Sequence, residues 1–212
     1  MRITGMIKLI LNFFGVLAAT VLVSLAAKAG DTAAQVNGRY VNDIGPHNVN
    51  FVKAASQVVF SRQAEKSPRE SLPLRHVDVD ALTAMQGPVI YRLGHSSILL
   101  KLGEDLVLID PVFSERASPL QWAGPRRFHP VPLVPDELPT ITAVVISHNH
   151  YDHLDSHTVR QLAPNVHYFV VPLGVGEHLR DWGVADEAIV ELDWWEELEI
   201  GDLTLAATPA QH

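Results

Sequence analysis

A mixed α/β fold, with parallel strands and hairpins together, is what this sequence predicts, and three observations carry that expectation. From residue 87 onward, short apolar runs of strand type alternate with helical stretches, the order that builds strand-helix-strand units. Residues 143–146 read Ala-Val-Val-Ile with no polar alternation, as in a strand covered on both faces. The apolar runs 97–102 and 106–109 are joined by Gly103-Glu104-Asp105, a hairpin turn.

The elements follow in order. Arg2 and Lys8 precede an uncharged, mostly apolar run over residues 9–27, and Ala27-Lys28-Ala29 follows with Gly30 behind it. A basic start, an apolar stretch and an A-x-A site read as a secretory signal. The run of 19 residues also has the length of a membrane span. Residues 1–29 are therefore expected to be a signal peptide or an N-terminal membrane anchor. Either one exports the remainder, to the periplasm or to the outer side of a membrane. Residues 30–86 are polar and rich in turns (Asn37-Gly38, Gly45-Pro46, Ser67-Pro68), an extended arm with one short helix. Residues 87–212 form the domain proper. Strands are expected at 89–93, 97–102, 106–109, 143–146, 167–171, 189–192 and 203–207, and helices at 157–162 and 174–182, the second stopped by Gly183. Between residues 111 and 140 lie eight prolines or glycines, which marks a long ordered loop of the kind that carries function.

Composition narrows the function. With 47% hydrophobic and 19% charged residues, the 212-residue chain suits a folded domain with a real core. The absence of cysteine removes disulfides, thiolate metal sites and thiol nucleophiles. A formal charge of −8 argues against a nucleic-acid partner, whose affinity comes from neutralised phosphates. Eleven histidines remain, so any metal must be held by His, Asp or Glu.

The chemistry is concentrated directly after the 143–146 strand. Ser147-His148-Asn149-His150-Tyr151-Asp152-His153-Leu154-Asp155 holds three imidazoles and a carboxylate in the spacing H-x-H-x-D-H. If the strand continues, His148 and His150 share a face, since side chains alternate with period two. A tight turn then brings Asp152 and His153 to the same space. Neutral imidazole with carboxylate suits zinc and other borderline divalent ions. Four donors so close together load more naturally onto two ions than one, and a pair of ions is a hydrolytic device. The helical H-E-x-x-H pattern and the G-x-S-x-G nucleophile elbow are both absent.

H-x-H-x-D-H after an apolar strand resembles the signature of the metallo-β-lactamase superfamily. Further segments occur in order: Leu93-Gly94-His95-Ser96-Ser97, Ile109-Asp110-Pro111, Arg116-Ala117-Ser118-Pro119, Gly124-Pro125-Arg126-Arg127-Phe128, Val171-Pro172-Leu173-Gly174, Glu191-Leu192-Asp193-Trp194-Trp195-Glu196-Glu197 and Thr208-Pro209-Ala210-Gln211-His212. Together they resemble the N-acylphosphatidylethanolamine-hydrolysing phospholipase D branch and its bacterial relatives. The resemblance implies an αββα sandwich, here its N-terminal half plus part of the second half, with a dinuclear zinc site at one edge. It assigns His148, His150 and His212 to the first metal, Asp152 and His153 to the second metal and to catalysis, and Tyr151 to substrate contact. It makes Asp110 an acid that supports the metal loop from behind. The family's bridging aspartate and last zinc histidine have no counterpart up to His212, so the second site is expected to be incomplete. The implied activity is zinc-dependent phospholipase D-type cleavage of a phosphodiester in an N-acyl phospholipid at a membrane surface. The alternatives are a lactone or ester hydrolase on the same site, or a catalytically inactive zinc-binding remnant.

Other residues carry weaker expectations. Arg116, Arg126, Arg127 and His129 could meet a phosphate, though loop arginines commonly hold loops. The acids Glu191, Asp193, Glu196, Glu197, Glu199 and Asp202 are read as a solvated face between strands rather than metal ligands. Trp194 and Trp195 are expected to pack, and His95 either to approach the site or to make a structural hydrogen bond.

Overall fold

The computed structural model describes residues 32–36, 38, 40, 68, 70–122 and 124–210, and residues 22–24 and 39 by their backbone. His212 and most of residues 1–29 lie outside the described residues, as does most of 41–69. The strands, in chain order, are β1 (Leu22–Ser24), β2 (Gln35–Val36), β3 (Arg39–Tyr40), β4 (Val89–Gly94), β5 (Ser97–Leu102), β6 (Asp105–Ile109), β7 (Ile141–Val145), β8 (Val166–Pro172), β9 (Ile189–Leu192), β10 (Glu197–Ile200) and β11 (Leu203–Ala206). The helices are α1 (Val79–Ala84), α2 (Ser156–Leu162) and α3 (Gly176–Asp181).

Six strands form one sheet in the order β4-β5-β6-β7-β8-β9. Its first half is a meander: β4 with β5 and β5 with β6 are antiparallel. From β6 to β9 the pairs are parallel, because the long loop and the helices intervene and return the chain to the same end. That change of mode brings the C-terminal ends of β6 and β7 side by side, and there the H-x-H-x-D-H loop begins.

The period-two alternation of the strands divides the core. Leu108, Val144 and Phe169 are paired across the sheet and belong to the larger cluster with Leu82 of α1, Val159 and Leu162 of α2, and Leu179 of α3. One residue out of phase, Val107, Ala143 and Val170 face Leu198 and Ile200 of β10. β10 and β11 pair antiparallel, and the backbone of β1 pairs antiparallel on the other side of β10. The described layers are thus helices, a six-stranded sheet and a second sheet, in keeping with the sandwich of the expected class.

Two differences from the sequence expectation concern the acidic segment. Residues 197–200, read as part of a solvated face, form strand β10. Glu197 and Glu199 point outward while Leu198 and Ile200 are buried at 0% and 6% exposure, so a half-buried strand was hidden inside an acidic run. Trp195, expected to pack, stands exposed in the turn before β10 with a φ of 66°. The acids are otherwise structural. The Glu191 carboxylate accepts from the backbone N–H groups of Gly174 and Gly176 and so closes the turn leading into α3. Asp193 accepts from Ala33 in the arm at 2.9 Å. The arm does contain the expected short helix, α1, whose N-cap Asp78 accepts from the Ala81 N–H. No helix among the described residues is long and apolar enough to cross a membrane.

Candidate metal centre

β7 stops at Val145, so His148 and His150 leave the strand instead of continuing its alternation. The chain is turned there by Asp110, which follows β6. The Asp110 carboxylate accepts from the Ser147 N–H at 2.7 Å and, on its other oxygen, from the Ser147 hydroxyl at 2.7 Å. A second turn closes where the N–H groups of His153 and Leu154 both donate to the His150 carbonyl, at 2.9 and 2.7 Å. The rings converge as a result: the His148 centroid lies 4.8 Å from that of His150 and 4.1 Å from that of His153.

Asp110 also organises the protons. Its Oδ2 accepts from His153 Nδ1 at 2.8 Å, which puts the His153 lone pair on Nε2. Since the Ser147 hydroxyl donates to Asp110, its oxygen is the acceptor toward His148 Nδ1 at 2.9 Å, which puts the His148 lone pair on Nε2 as well. The tautomers are assigned from this network. Carboxylate behind imidazole, with the far nitrogen basic, is how metal-binding histidines are oriented. Asp110 is only 4% exposed and adopts a φ of 42°, a left-handed conformation that Asp tolerates better than most residues.

Asp152 stands at the front of the cluster. His95, in the turn between β4 and β5, places Nε2 2.9 Å from Asp152 Oδ2, and His153 Nε2 lies 3.8 Å from the same oxygen. Donor atoms of His95, Asp152 and His153 all fall within 4.8 Å of one another. Burial by itself would raise the Asp152 carboxyl, but a backbone hydrogen bond, the His95 hydrogen bond and the adjacent imidazoles outweigh it and hold the group below the ordinary carboxylate range. The donor set is imidazole plus carboxylate, with the His148 and His153 lone pairs oriented by hydrogen bonds, which fits a divalent ion of zinc type.

Of the residues expected at the site, His148, His150, Asp152 and His153 come together, whereas His212 lies outside the described residues. Tyr151 is exposed and borders a groove of about 240 Å³ whose wall includes Gln121, Leu154, His157 and Trp182. The loop arginines mostly hold their own loop: Arg116 donates to the Gln121 and Gly124 carbonyls, and Arg126 pairs with Glu115 at 2.7 Å. Arg127 donates from Nη2 to the Val112 carbonyl, while its Nε and Nη1 are buried with no partner among the described residues. Burial lowers its pKa, partly offset by Asp155. Asp155 itself caps α2 and accepts from the Ser114 N–H at 3.1 Å, fastening the long loop to the end of the metal loop. Ser96, Ser97 and Ser147 were not singled out from sequence. Their one signal is position, flanking a histidine or leading the motif.

A sandwich edge presenting clustered imidazoles and a carboxylate defines a metal-centred class of protein. The chain belongs to the metallo-β-lactamase superfamily, a family of metal-dependent hydrolases: residues 106–212 match the family described as "Beta-lactamase superfamily domain". An uncharacterised protein of Mycobacterium tuberculosis is 44% identical over 157 residues, covering 72% of this chain and 41% of that protein. The N-acyl-phosphatidylethanolamine-hydrolyzing phospholipase D 1 of Caenorhabditis elegans is 33% identical over 152 residues, covering 67% of this chain and 42% of that protein. Among solved structures, the diiron β-hydroxylase CmlA of Streptomyces venezuelae matches with a TM-score of 0.46 and 28% identity, covering 59% of this chain and 24% of that one. The chain thus spans about two fifths of the length of these curated relatives.

Proposed function

We propose that the chain carries the metal loop of a zinc-dependent phosphodiesterase that cleaves an N-acyl phospholipid in the manner of a phospholipase D, at a membrane surface outside the cytoplasm. The observation that carries this reading is the 33% identity to the C. elegans phospholipase over 152 residues, 67% of this chain. His148, His150 and His212 would hold a first zinc ion, and Asp152 and His153 would contribute to a second. Bound zinc supplies an acidified water and stabilises charge on phosphoryl oxygens.

The chain's own residues do the rest. Asp110 and Ser147 keep the protons on Nδ1 of His153 and His148, so that both rings offer Nε2. Tyr151 stands beside the groove where a substrate can lie against Leu154 and Trp182.

The test is incubation of the full chain, loaded with zinc, with N-acyl phosphatidylethanolamine and separately with an acyl lactone. Release of N-acylethanolamine with phosphatidic acid would support this reading. Lactone opening without phosphodiester cleavage would replace this reading by the ester-hydrolase one. Bound zinc with neither turnover would identify a binding protein. A fusion of residues 1–40 to a reporter active only outside the cytoplasm tests export, and a silent fusion would refute it.

A further inference from the structure

We propose that the His95-Ser96 turn between β4 and β5 is the positioning element for the Asp152 carboxylate, acting on the metal centre through Asp152 rather than as a ligand. The proposal rests on the metal reading above and adds a residue to it.

Three contacts run from consecutive residues to the metal loop and to Asp110 behind it. His95 Nε2 meets Asp152 Oδ2 at 2.9 Å, Ser96 Oγ donates to the Asp152 carbonyl at 3.2 Å, and Ser97 Oγ donates to the Asp110 carbonyl at 2.7 Å. The first two fix both the side chain and the backbone of Asp152. The third ties the same turn to the residue that orients His153. Each of the adjacent donors, Asp152 and His153, therefore has its own partner delivered from a different strand end.

The separation is that of a hydrogen bond. At 2.9 Å, His95 Nε2 is at normal N–H···O distance from a carboxylate oxygen.

The backbone supports the assignment. Only three described non-glycine residues have positive φ, and two are the partners of the donors: His95 at 46° and Asp110 at 42°. A histidine in that conformation costs about 1 kcal/mol that glycine would not, so the surroundings must hold it there. Arg92 Nη2 donates to the His95 carbonyl at 3.3 Å. Gly94, with a φ of 134°, lets the His129 ring come so close that a Cβ would sit 2.9 Å from His129 Cε1. The turn is thus braced from both sides.

The experiment is a cobalt(II) titration of the full chain followed by visible absorption, with thermal unfolding of each metal-free variant as the folding control. His95→Ala is expected to weaken binding of the ion that Asp152 holds by roughly 10- to 100-fold. The metal-free unfolding temperature falls by no more than about 2–4 °C, the worth of one exposed pair, since the His95 side chain is 60% exposed. His95→Gln, whose amide reaches the position of Nε2, is expected to restore most of the affinity with an unaltered cobalt spectrum. Equal affinity in His95→Ala and the unaltered chain would overturn the proposal. So would a changed spectrum with no rescue by glutamine, which would make His95 a direct ligand. Absence of cobalt binding by the unaltered chain would overturn the metal reading itself. Binding that His153→Ala abolishes and His95→Ala leaves intact would overturn this proposal alone.

Discussion

Asp110→Asn keeps the shape of the side chain and tolerates the left-handed backbone at φ 42°, so it isolates what the charge does. In the native protein, one carboxylate oxygen takes the Ser147 N–H and the other takes two donors, the Ser147 hydroxyl and His153 Nδ1, at 2.7 and 2.8 Å. An amide can keep the first contact only. Its NH₂ then faces two donors, and both must reverse: His153 moves its proton to Nε2, and the Ser147 hydroxyl turns toward His148 Nδ1 and drives that proton to Nε2 too. Both imidazoles then present N–H where a lone pair is needed. Loss of such a partner costs roughly 10- to 100-fold in metal affinity per ligand. Because one carboxylate serves both rings the effects are not additive, and about 100-fold, or about 2.7 kcal/mol, is expected. Fold stability should fall by about 2 kcal/mol, the net worth of a buried hydrogen bond to a charged group. For a chain of this size that is a drop of about 4–8 °C in unfolding temperature. Competition for zinc with a calibrated chelator reads the first quantity, and thermal unfolding of the metal-free protein reads the second. A variant that loses stability as expected but binds zinc within about twofold of the unaltered protein would refute the argument that Asp110 sets the tautomers.

Three further outcomes are expected. Ser97→Ala removes a hydroxyl buried at 1% exposure that donates to the Asp110 carbonyl and accepts from the Val112 N–H; it should cost about 1–3 kcal/mol in urea unfolding, and a change under 0.5 kcal/mol would contradict its role. Leu198→Ala should cost about 2–5 kcal/mol with zinc affinity preserved, because it empties the core between the sheets and removes neither a metal donor nor the partner of one. Asp152 should titrate below the ordinary carboxylate range in the metal-free protein, by carboxyl carbon NMR. Its depressed folded value means its stabilisation is present above the unfolded carboxylate range and lost as pH falls through the folded value. A midpoint at or above that of the solvent-exposed aspartates would refute this.

How far the site was legible depends on the range of the interactions. The ligand loop is local, three imidazoles and a carboxylate inside six residues, and the buried strand before it is equally local, so both stand out from composition alone. Asp110 was reached through resemblance, since an aspartate before proline reads as a turn residue. The role of His95 was undecided because its partner lies 57 positions away, and no periodicity encodes that pairing. β10 was missed for another reason. Its glutamates, counted as charge, masked an apolar alternation of only two residues, and what makes Leu198 a core residue is the sheet it meets. The exposed Trp195 shows the converse: a large aromatic is assumed to be buried until a turn with φ 66° points it outward.

The spacing of these contacts has a consequence for the order of events during folding. Asp110 acts on His153 across 43 positions and on Ser147 across 37, and His95 reaches Asp152 across 57. Neither partner is in place until β4, β5, β6 and β7 have paired, and long-range pairing of that kind is slow because loop closure precedes any reward. A chain whose sheet has not yet paired holds donors whose tautomers and directions are unset. Productive metal capture therefore waits for the sheet. Ions met earlier would be held weakly and in exchange, so in refolding experiments the rate of tight zinc uptake should track the zipping of the sheet and be independent of zinc concentration once the ion is in excess.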